Sequence, residues 1–347
     1  MNTRTLSLVL LSLLVLSLPL WAGSGNKVGT AGAQELRIPV GSVATALAGA
    51  NIATTSGVEA LYWNPAGVAV LPHTEAMFSY MTYIADIKVN YAGFTTNMGQ
   101  FGSVGLSAKV MNIGDIDVTT EENPNGTGET YNPTFMVLGG TYARRMTDRV
   151  FFGGTFQYVY EKIRTEQATG ICFDFGLQYD TKWNGVKFGL VMKNFGPDMT
   201  FSGPGFEHSV AIPGDDPQAQ RRIVRIVPAA FNLPTSVHMG VSMNLVDTEE
   251  YGISPHFTFQ SNNFSHDEYR LGLEGSFLRR MIALRVGVVQ SGAASGLFDE
   301  NDNYLFGLNA GVGLNVPLGM SHLLFDYSWG KTDFFDDISW FSLRFAF

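Results

Sequence analysis

Large apolar residues alternate with small or polar ones over most of this chain, and this alternation constrains the fold more than any other feature. Between Ile171 and Asp180 every second residue is large and apolar, and the residues between them are Cys, Asp, Gly, Gln and Asp. The same pattern runs from Ser236 to Leu245 and from Tyr304 to Val316. A period of two residues is typical of β-strands with one apolar and one polar face.

About fourteen such segments follow one another from Thr74 to the C-terminus, an even number that suits a closed antiparallel barrel. Soluble β-sandwiches also alternate, but they rarely sustain fourteen long strands with so few charges. The predicted strands start near Thr74, Ile87, Gly102, Asn132, Arg149, Thr169, Gly185, Pro234, Tyr251, Glu268, Met281, Asn303, Met320 and Ile338.

The connections between these segments are short on one side and mostly long on the other. With the C-terminus taken as periplasmic, the six connections on that side are brief, as in Met98 to Phe101 and Pro317 to Ser321. The opposite side receives longer loops, above all Gly196 to Leu233. Short periplasmic turns and long external loops are typical of outer-membrane barrels, and we predict a transmembrane β-barrel of about fourteen strands.

Composition excludes several other classes. Charged residues make up 15% of the chain, against roughly 25% in soluble domains. Beyond Leu20 no apolar run approaches the roughly 18 residues of a membrane helix. The net charge of −9 argues against nucleic-acid binding, and the single cysteine, Cys172, excludes intrachain disulfides and sites that need several thiolates.

The two ends of the chain carry export signals. Arg4, the apolar stretch Leu6 to Trp21 and the small residues after it have the layout of a signal peptide, which we place at residues 1–22. The last strand ends on Phe347, and a terminal aromatic resembles the strand recognised by barrel-assembly machinery. We therefore expect the bacterial outer membrane as the location, with the barrel formed by residues 74–347.

Residues 23–73 are rich in Ala and Gly and do not alternate. We predict a short helix over Ser42 to Ala50, capped by Ser42 and ended by Gly49. Asn64-Pro65-Ala66-Gly67 is interpreted as a turn followed by a helix start, because Pro65 keeps Asn64 extended. Wall side chains alone do not fill a barrel of this size, so we expect residues 23–73 to form a plug inside the lumen rather than a periplasmic tail.

The plug also carries a family resemblance. The stretches Ala33 to Ser42, Ala44 to Ala50 and Glu59 to Gly67 look like the N-terminal signature of the PorV/PorQ family. That family is similar in turn to the FadL-type long-chain fatty-acid transporters, which share an Asn-Pro-Ala element in a plug and a fourteen-stranded barrel. The resemblance implies a role in type IX secretion, in which such a barrel passes secreted cargo proteins to other secretion-system components.

Three functions follow as hypotheses. The first is a PorV-like docking protein, and the second is a FadL-like channel for apolar small molecules. An outer-membrane lipid hydrolase built from His238 or His256 with a nearby serine comes third. Apolar residues in a pocket between plug and wall would favour transport, whereas an occluded lumen with an apolar external loop would favour docking.

Several charged residues fall on the lumen face of the predicted strands. Mixed signs predict ion pairs that brace the wall against the plug, rather than a line of ligand-binding charges. Replacing Arg270 or Glu274 should then loosen the plug. The candidate lumen charges are Lys109, Asp174, Asp180, Lys187, Lys193, Arg270, Glu274, Arg285, Asp326 and Arg344.

The longest external loop, Gly196 to Leu233, is the candidate partner-contact or substrate-contact element. It combines arginines with apolar residues that water does not favour. Its candidate contact residues are Phe201, Phe206, Arg221, Arg222, Arg225 and Phe231.

Other external loops are acidic. Calcium is conceivable there, but none has the spacing of an EF-hand, and a solvated surface is the simpler interpretation. The acidic residues are Asp115, Asp117, Glu121, Glu122, Glu129, Asp299, Glu300, Asp302, Asp333, Asp336 and Asp337.

No motif for catalysis, a cofactor or a metal stands out. The consecutive residues Ser265, His266 and Asp267 are not by their order a triad, which depends on spatial arrangement. The chain contains no Gly-x-Ser-x-Gly, phosphate-loop or His-Glu-x-x-His motif. We therefore predict a non-enzymatic protein without a cofactor.

Overall fold

The structure, a computed structural model, describes residues 28–210, 222–291, 306–332 and 335–347. Within these ranges fourteen long strands form one sheet, and each begins within a few residues of a predicted start. The strands are β1 (Glu75–Thr82), β2 (Lys88–Asn97), β3 (Ser103–Asn112), β4 (Thr134–Arg145), β5 (Val150–Ile163), β6 (Glu166–Asp180), β7 (Lys187–Phe195), β8 (Ser236–Ser242), β9 (Gly252–Asn262), β10 (Glu268–Phe277), β11 (Ile282–Ser291), β12 (Phe306–Leu318), β13 (Ser321–Thr332) and β14 (Ile338–Ala346).

The sheet closes on itself. Each strand pairs antiparallel with its neighbours in the chain, and β1 pairs with β14 so that Glu75 opposes Ala346 and Thr82 opposes Ser339. Thr74 and Phe347 extend this seam through two reciprocal backbone hydrogen bonds. Closure leaves no strand edge, which is the condition for a sheet to survive in hydrocarbon. The predicted fourteen-stranded antiparallel barrel is confirmed.

The barrel is apolar outside and polar inside, the reverse of a soluble protein. In β3, Leu106 is 66% exposed on the outer face while Lys109 is 5% exposed. The final strand likewise turns Phe341, Leu343 and Phe345 outward. Such an outward apolar band is the surface that bilayer hydrocarbon covers. None of the helices in the described ranges is long and apolar enough to cross a membrane.

The N-terminal segment lies inside the barrel as a series of short helices and turns. Its described part runs from residue 28, and most residues between Ala33 and Ala69 are buried. We call residues 28–73 the plug; residues 23–27 of the predicted plug lie outside the described residues. Its 3₁₀ helices are Gln34–Arg37, Gly57–Glu59 and Pro65–Ala69, and its α-helices are Ser42–Ala46 and Ala60–Trp63.

The helix predicted over Ser42 to Ala50 is shorter than expected, and its predicted cap was wrong. The α-helix ends at Ala46, and turns follow up to Thr54. Gly41 occupies the cap position, and the Ser42 hydroxyl lies 2.8 Å from the Ser342 hydroxyl of β14 instead of bonding the helix N-terminus. A wall contact has replaced the local cap.

Among the described residues, three other helical turns and five short strand segments lie outside the fourteen strands and the plug. The 3₁₀ turns are Ile84–Asp86, Gly99–Phe101 and Pro204–Phe206. Ile116–Asp117 pairs with Thr130–Tyr131 in one external loop. In the longest external loop Glu207–Val210 pairs with Arg222–Arg225, and we call these two strands the external hairpin. Val246–Asp247 extends the sheet beside β9 on the periplasmic side.

Candidate functional site: the plugged lumen

Glycines on the lumen face of the wall allow the plug to lie against the strands. A Cβ added at Gly189 would meet backbone atoms of Ile52 and Ala53, and one at Gly153 would meet the Pro65 carbonyl and the Ala66 nitrogen. Because these neighbours are backbone, they have little freedom to give way. Wall glycines whose added Cβ would meet the plug lie on nine strands: Gly93, Gly105, Gly153, Gly176, Gly189, Gly240, Gly272, Gly287 and Gly311.

The Asn64-Pro65-Ala66-Gly67 motif joins the plug to the wall. Asn64 is extended and Pro65 starts a 3₁₀ helix, so the predicted turn and helix start are confirmed. The Asn64 amide donates to the Ile52 carbonyl at 2.8 Å and to the Leu177 carbonyl of β6 at 3.3 Å, while its oxygen accepts from Ala66 N. Gly67 lies so close to the Thr55 carbonyl that a side chain would clash.

Wall side chains form hydrogen bonds with backbone groups of the plug, in addition to the turn and helix hydrogen bonds within the plug itself. Buried backbone polar groups need partners, and the wall supplies them. The bonds are Lys109 Nζ to Ile38 O (3.2 Å), Arg270 Nη1 to Ala48 O (3.0 Å), Thr258 Oγ1 to Ala50 O (2.9 Å), Gln178 Nε2 to Thr55 O (2.8 Å), Ser42 N to Ser342 Oγ (2.9 Å) and Val58 N to Glu75 Oε2 (2.9 Å).

Four of the predicted lumen charges form one chain of ion pairs in the periplasmic half of the wall. Arg285 lies 2.6 Å from Glu274 and 2.8 Å from Asp326. Asp326 also pairs with Arg344 at 3.4 Å. The chain spans β10, β11, β13 and β14 and balances two positive charges with two negative ones. These pairs join wall strand to wall strand, whereas the prediction had expected them to join wall to plug.

Glu59 brings a carboxyl group from the plug to this chain of ion pairs. Its Oε1 accepts from Val43 N at 3.1 Å. Burial raises the pKa of Glu59 to about 7, with Asp326 acting in the same direction and Arg344 against it. Glu59 is thus one plug group whose ionisation changes with pH near neutrality.

A second group of charges surrounds Tyr62 in the external half. Lys193 Nζ lies 3.4 Å and Lys109 Nζ 4.8 Å from the centre of the Tyr62 ring, which is cation–π geometry. Asp174 in β6 accepts from Gln157 at 2.6 Å and from Asn194 N at 2.7 Å, at a bulge between β6 and β7. Burial raises the pKa of Tyr62, which keeps the phenol neutral and able to donate to the Leu36 carbonyl.

The remaining lumen charges vary in their contacts. Arg270 pairs with Glu268, which lies 3.7 Å from Arg37 of the plug, so here wall and plug charges do meet. Asp180 pairs with Lys182 at the periplasmic rim, and Lys187 is half-buried at the same rim. Glu35 of the plug is buried beside Glu161, and burial raises the pKa of Glu35 to about 8.

An apolar cluster lies between plug, wall and external loop at the external mouth, and we call it the mouth cluster. Phe201 and Phe231, two candidate contact residues of the long loop, pack on it with their ring centres 5.6 Å apart. The cluster's buried members are Ala33 and Leu36 of the plug, Val137, Val159, Ala168 and Cys172 of the wall, and Met199 and Leu233 of the loop.

The other candidate contact residues lie away from the mouth cluster. Arg222 and Arg225 are exposed on the external hairpin, and Phe206 is half-buried beside its start. Arg221 lies outside the described residues, as do the predicted signal peptide and the acidic residues Asp299, Glu300, Asp302 and Asp333. The described acidic residues form no cluster with histidine or cysteine that could hold a metal ion.

The geometry does not support a hydrolase within the described residues. His238 and His256 each contact a serine, Ser236 at 2.9 Å and Ser242 at 2.8 Å. Their second ring nitrogens, however, are buried without a hydrogen-bond partner, so neither pair has the carboxylate that orients a catalytic histidine. Asp267 accepts from the Asn262 backbone in a loop rather than from a histidine.

Sequence reasoning did not single out Glu59, Tyr62, Gln178, Thr258 or the wall glycines as site residues. A signal for the glycines was present, since they alternate with large outward residues, as Gly189 does with Phe188 and Leu190. A signal for the plug contacts was lacking, because they join residues far apart in the chain.

The molecule is therefore a plugged, fourteen-stranded β-barrel of the outer-membrane type. In fold it is similar to the Pseudomonas putida toluene transporter TodX, with a TM-score of 0.55 and 12% identity over 88% of this chain and 96% of that one. A Pseudomonas aeruginosa FadL homologue gives a TM-score of 0.53 and 12% identity over 89% and 98% of the two chains. The CymD monoaromatic hydrocarbon channel gives 0.50 and 12% over 88% and 96%.

The shared fold is thus that of FadL-type barrels. No protein-family model matches the chain, and no curated protein matches it. The comparisons lend no support to PorV/PorQ membership or to a role in type IX secretion, and both stay predictions from the resemblance.

Proposed function

We propose that this protein is an outer-membrane channel that passes apolar small molecules, with the plug as its gate. The single observation that carries the proposal is the mouth cluster, where apolar side chains of plug, wall and loop meet at the external entrance. An apolar molecule that leaves water there gains the hydrophobic free energy of burial. Leu36 of the plug is only 2% exposed, so the molecule reaches it when the loop side chains Phe201 and Phe231 that pack on the cluster move aside.

The way the plug is held supports a gating role. Hydrogen bonds and ion pairs to side chains are individually modest, about 0.5–1.5 kcal/mol net for a neutral hydrogen bond. They exchange readily for contacts with water or with other lumen groups. A plug anchored in this way fills the lumen at rest and can shift without unfolding the barrel.

The solved barrels of this fold point to the same class of substrate. TodX is described as a toluene transporter, and CymD as a monoaromatic hydrocarbon channel. This favours the channel hypothesis over the docking hypothesis. The substrate class we propose is therefore small aromatic hydrocarbons or fatty acids.

Uptake by whole cells tests the proposal. The full chain is expressed in a Gram-negative host that lacks its own fatty-acid and hydrocarbon channels, and entry of labelled toluene and labelled oleate is measured. We expect uptake of at least one of them several-fold above a vector control, while uptake of glycerol is unchanged. Uptake of both compounds at the vector level would contradict the proposal.

Docking of a protein partner is the second candidate, and the external hairpin favours it. Ile223 is 73% exposed and Val227, just beyond the hairpin, is 82% exposed, although water disfavours both. Removal of residues 207–225 should abolish retention of a polypeptide that co-purifies with the barrel, while leaving toluene and oleate uptake intact. Retention of that polypeptide by the shortened chain would contradict docking at the hairpin.

A further inference from the structure

A groove interrupts the lipid-facing surface over strands β2 to β6. Its volume is about 610 Å³, within the range of small-molecule sites. Its side walls are apolar and mostly aromatic, and they face away from the lumen. They are formed by Phe94, Leu106, Tyr142, Phe156, Phe173 and Phe175.

Two outward-facing glycines form the floor of this groove. Gly140 lies between Leu106 and Phe156 in the strand register, and Gly154 lies between Tyr142 and Phe175. A Cβ added at Gly140 would meet nothing within 4 Å, and one at Gly154 would make ordinary contacts of 3.7 Å or more. Unlike the wall glycines that face the plug, these two are not required by any packing within the barrel.

The periplasmic end of the groove leads to a positive charge. The Tyr142 hydroxyl donates to the Phe101 carbonyl at 2.8 Å, in the turn between β2 and β3, and tyrosine is typical of the membrane–water interface. Arg144 is the next outward residue of β4, about 7 Å further along the strand. It is exposed and forms no ion pair within the described part of the chain. Its guanidinium can bind a phosphate through two parallel hydrogen bonds.

We propose that the groove binds one acyl chain of an anionic phospholipid of the periplasmic leaflet, with Arg144 holding its head-group phosphate. Within a bilayer an apolar groove of this volume on the lipid face is filled by hydrocarbon. The positive charge of Arg144, at the periplasmic end of the groove, favours an anionic head group over a zwitterionic one. The proposal rests on the barrel's place in a membrane and does not depend on what the lumen transports.

Native mass spectrometry of the full chain in a mild detergent tests the site. The protein is mixed with equal amounts of phosphatidylglycerol and phosphatidylcholine that carry the same acyl chains. We expect one bound lipid per barrel, with phosphatidylglycerol retained at least tenfold more than phosphatidylcholine. Gly140→Leu should lower retention of both about tenfold by filling the groove, and Arg144→Gln should remove the preference while leaving one lipid bound.

Val312→Leu is the matched control, because it adds apolar bulk to the lipid face of β12, outside the groove. It should retain lipid as the unaltered chain does, and the mobility shift on heating shows that each variant is a folded barrel. Equal retention by the unaltered chain and folded Gly140→Leu would overturn the proposal. An unchanged preference in Arg144→Gln, or retention of a free apolar molecule in place of phospholipid, would overturn it as well.

Discussion

At the scale of single residues, Glu59 makes the stability of the plug depend on pH. Its pKa is raised by burial from 4.5 to about 7, so the folded plug holds a proton that the unfolded chain has released between these values. The contribution of this group is therefore fully present below pH 4.5 and is lost as pH rises towards 7. The loss is at most about 3 kcal/mol.

We predict that the plug loosens with rising pH and that Glu59→Gln weakens this dependence in residues 42–60, since glutamine stays neutral and can still accept from Val43 N. Glu35, whose pKa burial raises to about 8, keeps its own contribution. The measurement is hydrogen exchange of residues 42–60 from pH 4.5 to 7.5, corrected for intrinsic rates. Glu129→Gln, in an exposed loop, should behave as the unaltered chain does. A pH dependence in residues 42–60 that is as large in Glu59→Gln as in the unaltered chain would assign the effect to another group.

The wall glycines give a second prediction. Gly153→Ala should displace the Pro65–Ala69 helix, because the new methyl group would meet the Pro65 carbonyl. We expect a loss of about 1–3 kcal/mol in plug stability, read as faster hydrogen exchange of residues 60–70. Gly140→Ala, on the outer face of the adjacent strand, is the matched control and should leave the hydrogen exchange of residues 60–70 unchanged. Equal exchange in the two variants would mean that the plug does not need the space at Gly153.

At the scale of structural elements, the chain of ion pairs joins four strands through Arg285. Arg285→Gln leaves Glu274 and Asp326 without their central partner, so we expect a loss of about 3–5 kcal/mol in the free energy of unfolding. The matched control is Arg279→Gln at the rim. There the partner Glu250 is exposed, and the expected loss is at most about 1 kcal/mol. Urea-induced unfolding of the barrel in lipid vesicles measures both losses. Similar losses in the two variants would contradict a structural role for the buried chain of ion pairs.

The strands could be predicted from sequence because each one carries its own signal. The alternation around Phe173 and Phe175 gives both the strand and its faces, and the Gly and Asn residues between segments mark the turns. The plug lacks such a local signal, since its helices are three to five residues long and end where wall contacts take over. Ser42 is an example. Its hydroxyl was predicted to cap the helix, but it lies 2.8 Å from the hydroxyl of Ser342, which is 300 residues away in the chain.

The candidate site was partly predictable for the same reason. Strand faces placed Lys109, Asp174 and Arg285 in the lumen, but they did not give the partners of these residues. Lys109 bonds a plug carbonyl, whereas Arg285 bonds only wall carboxylates among the described residues. Such pairings depend on the depth of each residue in the barrel, which alternation does not encode.

At the scale of the whole molecule, a rigid closed wall surrounds a plug that is held largely by side chains. The wall has continuous backbone pairing from strand to strand, while the plug has short helices and many polar contacts to lumen groups. Opening of the lumen therefore requires the plug to shift while the barrel stays intact. The proposed transport therefore depends on movement of the plug.

A reversible covalent bond between plug and wall tests whether the plug must move. Ser42 and Ser342 have their hydroxyls 2.8 Å apart, so Ser42→Cys with Ser342→Cys, in a Cys172→Ala background, should form a disulfide between plug and wall. We predict that oxidation reduces uptake of toluene or oleate to the vector level and that a reductant restores it. Ser42→Cys alone should transport under both conditions. Full uptake through the oxidised, cross-linked barrel would show that transport does not need the plug to move.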